Sequence, residues 1–139
     1  MCLLVTADLH QDAATTSAIA REISRHSGLE VVAGQGDFAT VLHFAEEHSC
    51  GCSLLDDAAH WKHECWLLHP DASAALAATI ALLIERHAGQ WTFEMIWNGD
   101  RSLGELLISG TELLDLIRHN QVRNKVTYHV LACNPALDR

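Results

Sequence analysis

Residues 29–44 read LEVVAGQGDFATVLHF, in which two extended runs flank a turn. Residues 29–33 are mostly apolar and include the β-branched Val31 and Val32, which is typical of a strand. Residues 34–37 (GQGD) combine the residue types that favour a turn. The segment beyond the turn is ambiguous, because its apolar positions fit helical spacing while residues 40–44 also suit an extended chain. The strong turn between two extended runs favours a β-hairpin.

A strand and a helix are predicted before this hairpin. Residues 1–7 (MCLLVTA) form a short apolar run typical of a buried strand. Asp12 is placed to cap a helix whose apolar positions include Ile19 and Ile23, and Gly28 follows its last turn. The first part of the chain therefore has the order β-α-β-β.

A second helix and a further strand are predicted after residue 70. Pro70 and Asp71 open an alanine-rich helix, and Gly89 ends it. Residues 91–97 (WTFEMIW) alternate between an aromatic row and a row that contains Glu94. This alternation predicts a strand whose aromatic row faces the core.

A β-α-β unit is predicted at the end of the chain. Residues 105–108 form a short apolar strand, and Ser109 with Glu112 has the spacing of a capping box. The helix that they open reaches about Asn120, and residues 126–130 alternate as a final strand.

The order of these elements predicts an α+β fold. Six of them match a ferredoxin-like βαββαβ arrangement, an antiparallel sheet with helices on one face. The C-terminal βαβ unit would extend that sheet, and an irregular Cys/His-rich insert covers about residues 46–70. The 139 residues fit a single domain, 1–139. This fold carries many unrelated functions, so the function depends on particular side chains.

The composition excludes some classes of partner. The formal net charge of −9 repels nucleic acid backbones and anionic membrane surfaces, while it attracts cations. No apolar run approaches the roughly 18 to 20 residues of a membrane span. The first residues lack a basic leader, so we expect a cytoplasmic protein with reduced cysteines.

One segment concentrates the residue types that bind metals. Residues 43–69 (HFAEEHSCGCSLLDDAAHWKHECWLLH) hold half of the ten histidines and three of the five cysteines. Residues two apart in an extended chain point to the same side, and Gly51 permits the bend that two thiolates on one ion require. Tetrahedral zinc needs four such ligands. We expect a structural or regulatory zinc site drawn from six candidates: His48, Cys50, Cys52, His60, His63 and Cys65.

Other interpretations of this segment stay open, because the CxC and HxxHxC spacings are not those of familiar zinc motifs. Buried cysteines and exposed histidines could be structural only. A disulfide between Cys50 and Cys52 would be strained and easily reduced, which suits thiol redox chemistry. Asp56 and Asp57 favour the neutral thiol and would assist a cation instead.

A metal-free interaction module is the remaining alternative. Trp61 and Trp66 lie in the same segment, and large aromatic side chains dominate the energetics of many interfaces. The partner would be another protein or a second copy, giving a homodimer. The sequence contains no recognisable nucleophile, base and oxyanion-binding set, so no catalytic residues are predicted.

Overall fold

The computed structural model describes residues 2–45, 51–87 and 89–131. Within these residues the chain is α+β, with three helices, a six-stranded mixed sheet and a small two-stranded sheet. The elements are β1 (Leu3–Asp8), α1 (Ala13–His26), β2 (Glu30–Ala33), β3 (Val41–Ala45), β4 (Trp61–Lys62), β5 (Cys65–Trp66), α2 (Pro70–Arg86), β6 (Trp91–Trp97), β7 (Gly104–Ile108), α3 (Gly110–Arg118) and β8 (Val126–Val130).

The large sheet has the strand order β2-β3-β1-β6-β8-β7. The predicted hairpin is confirmed, since β2 and β3 pair antiparallel with Val32 opposite His43. β7 and β8 pair in parallel, whereas the other neighbouring strands are antiparallel. The sheet is therefore mixed, and its parallel pair is the one that a C-terminal β-α-β unit implies. The reason is that α3 carries the chain back, so that β8 runs in the same direction as β7.

The helices cover one face of this sheet. Leu3, Val5 and Ala7 of β1 are buried, and they belong to the same core as the buried side chains of α1, α2 and α3. The alternate positions of β1 are only partly buried. One face of the sheet therefore packs against helices, while the other is left open, as antiparallel sheets allow.

The aromatic row of β6 lies on the helix side. Trp91, Phe93 and Met95 are buried, as the alternation predicts, while Glu94 lies on the open face. Ala72 and Ala77 of α2 are buried in the same core.

Each helix begins with a side-chain cap. Asp12 accepts a hydrogen bond from the backbone N–H of Thr15 at 2.7 Å, and Ser109 with Glu112 forms the predicted capping box. α2 is capped by His69, whose Nδ1 accepts from the backbone of the first turn. None of the helices in the described part of the chain is long and apolar enough to cross a membrane.

Residues 51–69 are more regular than the predicted insert. They contain a 3₁₀ turn at Gly51–Leu54 and a hairpin formed by β4 and β5. His63 and Glu64 make the turn of this hairpin, with positive φ angles of 53° and 66°. Positive φ at both central positions gives the twist that a two-residue hairpin requires. A strand of two residues is too short to show the alternation of apolar and polar residues by which strands are predicted.

Gly51 allows the insert to lie against the sheet. An added Cβ would lie 2.8 Å from the carbonyl oxygen of Leu3 and 2.9 Å from Cγ2 of Val5. We expect Gly51→Ala to lower the free energy of unfolding by about 1–3 kcal/mol, because the added methyl group overpacks a site walled by backbone. Urea denaturation measures the change. Gly104→Ala is the matched control, since nothing lies within 4 Å of a Cβ there; equal losses in both variants would contradict the explanation.

Candidate functional site

Trp66 fastens the β4–β5 hairpin to the large sheet. Its side chain is completely buried, and its indole Nε1–H donates to the carbonyl oxygen of Met95 at 2.8 Å. Its backbone N–H donates to the carbonyl oxygen of Val122 at 2.9 Å. A side chain without exposed surface cannot meet a partner while it stays in place. Trp66 therefore acts by holding the hairpin and its neighbouring side chains in place.

Trp61 is the neighbour that Trp66 holds. Its ring centroid lies 5.4 Å from that of Trp66 and 6.2 Å from that of Trp97, and both pairs meet edge to face. Trp66 and Trp97 are themselves in edge contact at 5.2 Å. Trp61 remains 49% exposed. The arrangement presents one large aromatic ring to solvent on a rigid aromatic support.

A groove of about 580 Å³ lies beside Trp61. Trp61 and Glu64 of the hairpin form one side, and Leu103 with residues 123–126 forms the other. Asn124 joins the two sides, because its backbone N–H donates to the carbonyl oxygen of Glu64 at 2.8 Å. Its Oδ1 is buried and has no hydrogen-bond partner among the described residues. The groove is lined by apolar side chains (Trp61, Leu103, Val126) together with charged ones.

Two cations line the same groove. Arg123 lies 3.3 Å from the carboxylate of Glu64, and Lys125 lies 3.8 Å from that of Asp100. All four side chains are substantially exposed to solvent. Exposed ion pairs contribute little to stability. A carboxylate on a ligand could therefore replace either internal partner at small cost.

The predicted metal ligands are placed at separate points around the hairpin. The Sγ of Cys52 accepts a hydrogen bond from the backbone N–H of Leu3 at 3.2 Å. Cys65 is partly buried near Tyr128; burial is the main reason that the pKa of Tyr128 is raised, and Cys65 acts in the same direction. His60 and His63 are exposed.

No cluster of three or more metal-binding side chains is found among residues 2–45, 51–87 and 89–131. Cys52, His60, His63 and Cys65 therefore do not form a centre by themselves. His48 and Cys50 lie outside the described residues. A zinc site that includes those two residues stays a prediction, as does redox chemistry between Cys50 and Cys52.

A second concavity, of about 590 Å³, lies on the open face of the sheet. The strand register places His43, Thr6 and Glu94 side by side across β3, β1 and β6. Oε2 of Glu94 accepts a hydrogen bond from the Thr127 hydroxyl at 3.0 Å. Phe38 lies at the rim and is 64% exposed. Sequence reasoning missed this row because its residues are far apart in the chain and meet only through strand pairing.

Comparison of the chain with protein-family models, curated proteins and solved structures finds no match. Its function must therefore be inferred from the surfaces described above. The groove beside Trp61 and the concavity on the open face of the sheet are two surfaces in the described part of the chain that combine apolar and charged side chains.

The pKa of His43 gives a test of the open face. Burial lowers this pKa from the ordinary value of 6.5. The unfolded chain therefore binds the proton first on acidification, so stability is lost as the pH falls below about 6.5. We expect His43→Gln to make the free energy of unfolding less dependent on pH between about pH 7 and 5. Urea denaturation at several pH values measures this. His26→Gln, at an exposed histidine, is the control, and an unchanged pH dependence in His43→Gln would contradict the assignment.

Proposed function

We propose that this chain is a binding module that recognises a partner protein through Trp61 and the groove beside it. The observation that carries the proposal is the half-exposed ring of Trp61, supported from beneath by Trp66 and Trp97. A rigid aromatic ring loses little conformational entropy on binding and buries a large apolar area. Residues of this kind supply most of the binding energy in many interfaces.

The groove favours an extended segment with an apolar and an acidic side chain. Trp61 and Leu103, which is 79% exposed, offer apolar surface for the first. Arg123 and Lys125 offer cations for the second, because their internal partners are exposed and weakly held. Complementary charge at the rim fixes orientation and speeds association more than it adds affinity.

We also propose that β1, β2, β3, β6, α1 and α2 form a ferredoxin-like unit. The strand order β2-β3-β1-β6 and the antiparallel pairing of these strands support it. In this arrangement the β7-α3-β8 unit is an extension beside β6, and the hairpin spans the junction between the two parts.

A random peptide library displayed on phage tests the binding proposal, with selection in the presence of EDTA. We expect peptides that carry an apolar and an acidic residue to be enriched. Trp61→Ala should weaken their binding at least about tenfold, because truncation removes the central apolar contact. Titration by calorimetry measures the dissociation constants. Phe38→Ala is the matched control, since Phe38 is exposed but lies on the other concavity.

Two outcomes of this selection would contradict the proposal. In the first, the enriched peptides bind the Trp61→Ala variant as tightly as the natural chain. The groove would then not be part of the interface. In the second, selection in EDTA enriches no peptide, whereas a parallel selection with zinc in place of EDTA does and binding requires Cys50 and Cys52, which would favour the metal site.

A further inference from the structure

β7 is an edge strand of the large sheet and presents leucines to solvent. It pairs with β8 on one side, and no strand in the described part of the chain pairs with its other side. Leu106 and Leu107 are 46% and 72% exposed. An exposed apolar edge strand is a template for pairing with another strand.

The opposite edge of the sheet is protected in a way that β7 is not. β2 has only four residues, and the backbone N–H of Val31 donates to the Ser24 hydroxyl of α1 at 3.3 Å. Short length and a covering helix are two of the means by which edges avoid association. Among the described residues, no side chain hydrogen-bonds to the backbone of residues 105–107.

The hydrogen bonds to β8 show which backbone groups of β7 point outward. The carbonyl oxygen of Ile108 accepts from the N–H of Leu131 at 2.9 Å, so it points towards β8. Successive residues of a strand direct their backbone groups to opposite sides. The N–H and C=O groups of Glu105 and Leu107 therefore point away from the sheet.

We propose that β7 pairs antiparallel with β7 of a second copy of this chain, about a two-fold axis at Leu106. In this register Glu105 lies opposite the partner's Leu107, and Leu107 lies opposite the partner's Glu105. These are hydrogen-bonded positions, so all the outward N–H and C=O groups of the two residues are paired. Leu106 lies opposite the partner's Leu106. This is a non-hydrogen-bonded position, where the Cα atoms of the two strands are closer together.

The charge of Glu105 favours the register centred on Leu106 over the one centred on Glu105. A shift that places Glu105 opposite the partner's Glu105 sets like charges face to face, which is destabilising. With the axis at Leu106, Glu105 faces a leucine and keeps its hydrogen bond to Nε2 of His129 at 2.9 Å. A register centred on Leu107 pairs fewer residues of the five-residue strand. A second copy is thus the occupant that this edge fits.

The proposed dimer adjoins the groove beside Trp61 at Gly104, which begins β7 and lines the groove, but it makes no use of Trp61 itself. Its contacts come from Leu106, Leu107 and the backbone of β7, and it does not require Trp61 to bind anything. Trp61→Ala should therefore leave the dimer intact, and loss of the dimer would not affect the reasoning for the groove.

Sedimentation equilibrium of the full chain at physiological salt, over a range of concentrations, tests the dimer. We expect a mass that rises with concentration to twice the 15.3 kDa of one chain. Leu107→Glu places a glutamate opposite the partner's Glu105 and should raise the dimer dissociation constant at least about tenfold. Leu107→Lys removes the same leucine but faces the partner's Glu105 with a cation, and should keep the dimer.

Further variants distinguish this strand register from nonspecific association of exposed apolar side chains. Glu105→Lys combined with Leu107→Glu restores opposite charges and should restore the dimer. Val32→Glu, on the other edge strand, should leave the mass unchanged. Urea denaturation checks that each variant is folded. A natural chain that stays monomeric at every concentration overturns the proposal, and so does equal weakening by Leu107→Glu and Leu107→Lys.

Discussion

The anchoring of Trp66 beneath the β4–β5 hairpin is the interaction on which the proposed binding surface depends. Two strands of two residues are too short to be stable in water by themselves. The buried ring and the hydrogen bond from its Nε1–H to Met95 attach them to β6. Because the hairpin is held there, Trp61 is supported from below and a groove opens between the hairpin and the start of β8. Trp66 thus links the core of the fold to its proposed function.

The features that could be predicted from the sequence are those with local causes. Asp12, Ser109 and Glu112 cap helices through neighbours three residues away, and the turn at residues 34–37 brings two adjacent strands together. The hydrogen bond of Trp66 to Met95 and the attachment of the hairpin to Val122 could not be predicted. Both depend on contacts between segments distant in the chain, for which no local pattern exists.

The same distinction applies to the candidate site. The density of Cys and His in the sequence singles out the segment that also holds Trp61. Density along the chain does not establish convergence in space, however: Cys52 contacts β1, while His60 and His63 are exposed. Arg123 and Lys125 look in the sequence like solvated residues after a helix. They become part of a groove only because the hairpin packs against residues 122–124.

Hydrogen exchange of the tryptophan indole N–H groups, followed by NMR, tests the anchoring most directly. The Nε1–H of Trp66 is buried and bonded to Met95, so it should exchange as slowly as the backbone amides of β6. The Nε1–H of Trp61, on a half-exposed ring, should exchange much faster. If the two indole groups exchange at similar fast rates, the hairpin is not fastened to the sheet and the groove beside it has no fixed wall.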